Sequence, residues 1–159
     1  MTMTAPALRI VMEQAVTACI AHVESGGLPF VGVVVNDTGV ISTFGVNEVH
    51  ETGDPHAHAE IVAMRNAMSA GDLQDLAGTT LLATGEPCGL CYRFAIAHKV
   101  DGVHVAVDRD EVAALGFDYR ASYRALGISE QQRAGLLHHL PVERRTEPFA
   151  RFLQSTTSP

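Results

Sequence analysis

Apolar residues recur at helical spacing in the first part of the chain. Between residues 7 and 24 they stand at Leu8, Val11, Met12, Ala15, Cys19 and Val23. This spacing predicts an amphipathic helix, which the sequence Ser25-Gly26-Gly27 ends. A second helix is predicted over residues 58–69. Its buried side is marked by Ile61, Val62, Met64, Ala67 and Met68.

Short runs of apolar and β-branched residues predict the strands. Residues 30–35 form a continuous run, as expected for a central strand that is covered on both faces. The turn at residues 36–39 joins this strand to a second one at 40–46, which gives a hairpin. Residues 79–84 and 102–107 predict two further strands. A helix at residues 88–99 separates them, so we expect these two strands to be parallel.

The last third of the chain is predicted to be mainly helical. The predicted helices cover residues 109–115, 121–126, 129–140 and 147–154, with disorder from Ser155. We find no repeat and no linker, so residues 1–159 are interpreted as a single domain. The element order αββαβαβα predicts the α/β class, as a three-layer α/β/α sandwich with a mixed central sheet.

Composition narrows the possible partners. The chain has 159 residues, a hydrophobic fraction of 47% and a net charge of −7. No apolar run reaches the roughly 18 residues of a membrane span, and the N-terminus lacks the features of a signal peptide. Lys99 is the only lysine. This charge disfavours a nucleic-acid partner and favours a small free substrate.

Three cysteines do not make a disulfide framework, so we expect a cytoplasmic protein. Two of them belong to the sequence Pro87-Cys88-Gly89-Leu90-Cys91, which follows His58-Ala59-Glu60 after about thirty residues. Zinc prefers nitrogen and thiolate ligands in a tetrahedron, and a catalytic zinc keeps one position open for water. The metal lowers the pKa of that water from 15.7 to about 7.

These motifs predict a catalytic Zn²⁺ site. His58, Cys88 and Cys91 are the predicted ligands, and Glu60 is the predicted acid–base that carries protons to the substrate. A redox pair or a structural zinc is the alternative for an isolated C-x-x-C. A structural site usually has four protein ligands, and no fourth stands near these motifs. His56 is a second candidate ligand, but the spacing to Glu60 favours His58.

Three segments carry a resemblance to a known family. Residues 54–61 (D-P-H-A-H-A-E-I) and 84–91 (T-G-E-P-C-G-L-C) resemble the two zinc motifs of the cytidine deaminase-like superfamily. Residues 114–118 (A-L-G-F-D) are similar to the A-G-F-D segment of bacterial guanine deaminases within it. The resemblance as a whole covers roughly residues 28–126. The resemblance implies the sandwich fold, hydrolytic deamination and a homodimer.

The resemblance also assigns roles to residues outside the zinc motifs. Asn47 matches an asparagine that hydrogen-bonds the substrate. Within the zinc motif, Ala59 lies between His58 and Glu60, and its small side chain would by itself let a flat ring approach. Asp118 matches an aspartate that holds the amino group or assists proton transfer, within its own subunit or across a dimer. A turn-forming role for Asn47 and a solvated carboxylate for Asp118 remain as alternatives. Phe30 and Phe117 are either core residues or stacking partners of a base.

The sequence also departs from the family pattern. Tyr92-Arg93-Phe94 follows the second cysteine where relatives carry small residues, which puts guanine itself in question. We therefore predict a zinc-dependent hydrolase of C–N bonds in a small amino-heterocycle. Guanine or a related aminopurine or triazine is the first candidate substrate. A cytosine or cytidine deaminase and a tRNA adenosine deaminase are the alternatives, with a zinc-stabilised interaction domain as the non-enzyme alternative.

Overall fold

A computed structural model describes residues 3–157 of the chain. The helices are α1 Ala5–Glu24, α2 Val49–Thr52, α3 Ala59–Ala70, α4 Gly89–Ala97, α5 Arg109–Ala114, α6 Ala121–Ala125, α7 Glu130–Leu136 and α8 Glu147–Thr157. The strands are β1 Val31–Asn36, β2 Gly39–Val40, β3 Gly45–Val46, β4 Thr80–Gly85, β5 Gly102–Val107 and β6 Leu137–His139.

The strands form one mixed sheet in the order β2-β1-β4-β5-β6, and β3 also pairs with β1. Strand β1 is antiparallel to β2, β3 and β4. Strands β4, β5 and β6 are parallel to one another. This arrangement confirms the predicted mixed sheet and the predicted parallel pairing of β4 with β5.

Helices cover both faces of the sheet. Along β1, Val33 and Val35 pack into the core on the side of α1, where Phe149 of α8 is also buried. Val34 points the other way, into the core beneath α3 and α4. This alternation is the period of two of a strand. Since both faces are covered, β1 reads as a continuous apolar run, and the three-layer sandwich is confirmed.

The predicted second strand of the hairpin, 40–46, is wrong in part. Only its two ends pair with β1, as β2 and β3. Between them, the backbone N–H of Val34 donates to Ser42 Oγ at 2.9 Å instead of to a backbone carbonyl. The Thr43 N–H donates to Asn66 Oδ1 on α3 at 2.8 Å. Side chains thus replace part of the hydrogen-bond ladder in this segment.

Two predictions near the C-terminus are also wrong. The single helix expected over 129–140 ends at Leu136, and the next three residues form the edge strand β6. These three residues are a strand because they pair with β5. A stretch of three residues is too short for its own pattern to predict a strand. The disorder expected from Ser155 is wrong for residues 155–157, because α8 continues to Thr157; the last two residues lie outside the described range. Among residues 3–157, no helix has the length and apolar character to cross a bilayer.

The start of α3 lies unusually close to the sheet. A Cβ atom at Gly45 would come within 2.4 Å of the Ala59 carbonyl oxygen, and one at Gly32 within 2.8 Å of the Glu60 Cα. Both glycines therefore permit a close approach of backbones that any larger residue would block. The approach places the first turn of α3 at the edge of the sheet where β4 ends and β1 begins.

Candidate active site

The three predicted metal ligands meet at the first turns of two helices. His58 is the N-cap residue of α3, Cys88 is the N-cap residue of α4, and Cys91 lies in the first turn of α4. His58 Nδ1 is 3.5 Å from each of the two sulfur atoms. The two Sγ atoms are 3.8 Å apart. Among the histidine, cysteine and acidic side chains of the described residues, these three form the group that is arranged to hold a metal ion.

These distances fit a tetrahedral zinc ion. Bonds of about 2.3 Å to sulfur and about 2.0–2.1 Å to nitrogen imply, in a tetrahedron, about 3.8 Å between sulfurs and about 3.6 Å between sulfur and nitrogen. The observed edges agree with both values to within about 0.1 Å. With these three protein ligands, a bound zinc ion would have one position open to water, as in catalytic zinc sites.

The surroundings favour thiolate at Cys88. The neighbouring Cys91 thiol and the His58 ring lower the pKa of Cys88 to about 4, against an opposing effect of burial. Burial raises the pKa of the Cys91 thiol, and the Cys88 and Glu60 side chains add to the rise. The pair therefore holds one negative charge without a metal. A bound dication reverses the balance at Cys91, because metal coordination deprotonates a thiol.

Glu60 lies directly behind the ligands. Its side chain is buried, and the Cys91 thiol is 3.4 Å from its Oε2 atom. Burial, followed by the negative charge of Cys88, raises the pKa of Glu60 to about 7. A carboxyl group with a pKa near neutrality is suited both to accept and to return a proton.

A cavity of about 350 Å³ opens in front of these groups. Its lining residues are Leu28, Phe30, Asn47, His58, Ala59, Glu60, Glu86, Cys88, Leu90, Phe117, Tyr119 and Ser122. The structure thus brings both predicted substrate-binding residues, Asn47 and Ala59, to the same cavity as His58 and Glu60. Asn47 Oδ1 accepts the Val49 N–H at 3.1 Å, which leaves the amide nitrogen as the donor for a ligand.

Aromatic rings form one wall of the cavity. Phe30 packs edge-to-face on Phe117, with 5.3 Å between ring centroids, and on Phe149 of α8 at 5.5 Å. Tyr119 stands beside them, at 6.3 Å from Phe30. Phe30 and Phe117 are therefore both partly buried against the core and exposed to the cavity. Phe149 of α8 packs against both Phe30 and Phe117 and supports this wall.

Asp118 is not among the residues that line this cavity. Its carboxylate is exposed and accepts from Arg120 Nε at 2.9 Å and Nη2 at 2.8 Å. These hydrogen bonds lower the pKa of Asp118 to about 2. Within one chain, the two predicted catalytic residues, Asp118 and Glu60, therefore do not line the same cavity. The role predicted for Asp118 requires a second copy of the chain or a rearrangement.

The structure distinguishes the three histidines near the zinc motif, His50, His56 and His58, by where they lie. The His56 side chain is 60% exposed and lies beside Asp54, away from the two cysteines, so the ligand geometry belongs to His58. His50 lines a shallow depression that adjoins the cavity through Leu28, Asn47 and His58.

Several lining residues were not predicted from the sequence. Leu28, Tyr119 and Ser122 lie outside the quoted motifs, and Leu90 occupies a variable position between the two cysteines. Tyr119 directly follows the G-F-D segment, and this neighbouring position is the sequence feature that could have identified it as a cavity residue. Glu86, the residue before Pro87 in the cysteine motif, is buried and pairs with Arg133.

Comparison with known proteins agrees with this geometry. Residues 7–107 match the family model of the cytidine and deoxycytidylate deaminase zinc-binding region. The chain is 29% identical to guanine deaminase of Bacillus subtilis over 139 residues, which are 87% of this chain and 88% of the relative. It also resembles a tRNA-specific adenosine deaminase of Haemophilus influenzae, 39% identical over 91 residues, or 57% of this chain and 53% of that one.

Among solved structures, guanine deaminase from Nitrosomonas europaea has a similar fold. The TM-score is 0.74 at 25% identity, and the superposition covers 99% of this chain and 88% of the other.

Proposed function

The chain belongs to the family of the cytidine and deoxycytidylate deaminase zinc-binding region, and from this we propose that it deaminates guanine or a closely related aminopurine. One observation carries the proposal. His58, Cys88 and the buried Glu60 line a cavity with an aromatic wall, and Cys91 completes the metal triad beside them. The similarity to guanine deaminases along most of the chain supports guanine as the first substrate.

His58, Cys88 and Cys91 would hold the zinc ion, which supplies an activated water to the ring carbon that bears the amino group. Glu60 takes a proton from that water on its carboxylate. It passes this proton to the ring nitrogen, then takes the second proton from the oxygen now bonded to the ring carbon and passes it to the amine, so ammonia leaves and an oxo group replaces it. Burial raises the pKa of Glu60, and this direction favours a carboxyl group that both takes up and gives back a proton.

The other lining residues orient the ring. The Asn47 amide nitrogen donates to an acceptor on the edge of the base. Phe30, Phe117 and Tyr119 present apolar surface to the ring, whose π system favours offset or edge-on aromatic contacts. The small Ala59 side chain leaves room for the ring next to the metal ligands.

The charges of the cavity favour a free base over a nucleotide. In the described part of the chain, its lining contains no lysine or arginine to pair with a phosphate group. The net charge of −7 further disfavours tRNA. In sequence, the Haemophilus influenzae tRNA-specific adenosine deaminase matches over 57% of this chain, whereas the Bacillus subtilis guanine deaminase matches over 87%.

Ammonia release across a panel of substrates tests this proposal. The zinc-loaded protein would be assayed with guanine, adenine, cytosine, cytidine, guanosine, ammeline, a pterin and an anticodon stem-loop RNA. We expect kcat/KM for guanine to exceed that for guanosine and cytidine by at least about tenfold, since a wrong fit in an apolar pocket costs about 1–3 kcal/mol. Turnover of another substrate with none of guanine would refute guanine while leaving the zinc mechanism in place.

We further propose that the protein is a cytoplasmic homodimer in which Asp118 acts on the cavity of the partner subunit. The exposed position of Asp118, outside its own cavity, supports this arrangement. The family resemblance of the G-F-D segment supports a role for the residue.

Subunit mixing tests the shared site. Glu60→Gln and Asp118→Asn, each inactive alone, should regain up to about a quarter of wild-type activity after mixing, because some mixed dimers contain one intact site. Light scattering after gel filtration would give the mass in parallel. A monomer, or no recovery on mixing with proven subunit exchange, would contradict the proposal.

A further inference from the structure

The residue before Pro87 is the most enclosed charge outside the zinc site. Glu86 is 1% exposed, and it begins the turn that leads from β4 to Cys88. Its carboxylate accepts four hydrogen bonds. The donors are Tyr92 O–H at 2.8 Å, Arg109 N–H at 2.8 Å, Arg133 Nε at 2.5 Å and Arg133 Nη2 at 2.9 Å.

Arg133 is the only one of these donors that brings a charge to the carboxylate. Its guanidinium binds both carboxylate oxygens as a fork, which is the strong and geometrically restrictive form of this pair. The Arg133 side chain is 14% exposed and comes from α7, 47 residues beyond Glu86. The pair therefore joins α7 to the turn that carries Cys88.

The backbone of the same turn is also fixed. The Glu86 carbonyl accepts from the Tyr119 hydroxyl, and the Pro87 carbonyl accepts from the Tyr123 hydroxyl. Gly89 N–H donates to Ser122 Oγ at 2.8 Å. Polar groups on both sides of Cys88 thus have partners from the segment 119–123, and the Glu86 side chain is held by α4, α5 and α7.

We propose that Arg133 is a positioning residue for the zinc site, which it controls through Glu86. Glu86 lies two residues before Cys88, so a displacement of its carboxylate moves the turn that sets the Cys88 sulfur. Without the guanidinium, the buried carboxylate has lost its charged partner and turns towards water, since a buried charge requires compensation. Arg133 touches neither the substrate cavity nor the metal ligands.

The expected effect is faster loss of zinc. Arg133→Met should raise the rate of zinc dissociation about tenfold, the low end of the effect of changes in groups that support metal ligands. The uncompensated charge of Glu86 by itself would slow zinc release, by attraction to the cation. We expect the displacement of the Cys88 sulfur to accelerate zinc release by more than that attraction slows it.

Transfer of zinc to a coloured chelator, followed in time, measures this rate without any substrate. The set comprises wild type, Arg133→Met, Glu86→Gln, the double variant and Arg144→Met. Arg144 is an exposed arginine that pairs with Glu147 and serves as the matched control. Arg133→Met should accelerate release about tenfold in the wild-type background and less than about threefold beside Glu86→Gln, because coupled residues are not additive.

Equal acceleration in both backgrounds, or none in either, would overturn the proposal. If Arg133→Met does not fold, Arg133→Lys in the same two backgrounds replaces it, since lysine keeps the charge but loses the fork. We then expect Arg133→Lys to accelerate zinc release in the wild-type background but not beside Glu86→Gln. An Arg133→Lys variant that releases zinc at the wild-type rate overturns the proposal. The inference rests on the zinc site of the proposed function but not on guanine, so a failed substrate panel leaves it standing.

Discussion

Glu60→Gln should abolish deamination while zinc remains bound. The glutamine side chain has the same size and keeps one hydrogen-bond acceptor, but it cannot take a proton from water or return it to the leaving amine. General acid–base catalysis contributes about 10²–10⁴-fold, so we expect kcat to fall at least about a thousandfold. Metal analysis of the same sample should find as much zinc in the variant as in the wild-type protein.

The matched control for this variant is Glu51→Gln. Glu51 is an exposed glutamate of α2 and is not among the residues that line the cavity. It should keep the wild-type kcat. A Glu60→Gln variant that is folded, zinc-loaded and fully active would remove Glu60 from the mechanism and favour a zinc-stabilised interaction domain instead.

Cys91→Ser should empty the metal site. Its sulfur is a corner of the triad, 3.8 Å from Cys88 and 3.5 Å from His58, and a serine hydroxyl is a far weaker ligand for zinc than a thiolate. We expect zinc content near zero and a rate of ammonia release at the buffer background. Chelation of the wild-type protein should give the same loss, and added zinc should restore it.

Cys19→Ser separates this effect from the general loss of a buried thiol. Cys19 is fully buried in the core on the side of α1, where burial raises its pKa to about 12 and its nearest polar neighbour is Thr84. This variant should lose stability but retain zinc and activity. If Cys91→Ser bound zinc as well as Cys19→Ser does, the ligand assignment would be wrong.

The metal triad was predictable because its geometry is local. His58 with Glu60, and Cys88 with Cys91, each lie within one helical turn, and a proline shortly before each helix, Pro55 or Pro87, helps to fix where the turn begins. What joins the two turns is the sheet, whose strands the apolar runs also predicted. Spacing alone therefore selected three side chains that meet in the structure.

Asp118 shows where a short motif stops being informative. The G-F-D segment identifies the residue but not the direction of its side chain, and Arg120, two residues later, supplies a local partner. The Glu86–Arg133 pair was not predictable either. Its members are 47 residues apart, and no periodicity signals a contact between a turn and a polar helix at that distance.

The strand errors have a similar cause. Strand β6 is three residues long and exists because β5 offers a free edge beside it. The segment between β2 and β3 leaves the sheet because Ser42 and Asn66 take over its hydrogen bonds. Both outcomes depend on partners outside the segment concerned, whereas the long helix α1 and the buried strands β4 and β5 carry their pattern within their own residues.

Hydrolysis of guanine in ¹⁸O-labelled water, by the zinc-loaded protein, tests the central claim most directly. Mass spectrometry of the purine product and a parallel ammonia assay would be read against Glu60→Gln. The account predicts xanthine with one heavy oxygen and one ammonia for each guanine consumed, and no product with the variant. An unchanged purine in both samples, with zinc bound in both, would contradict it.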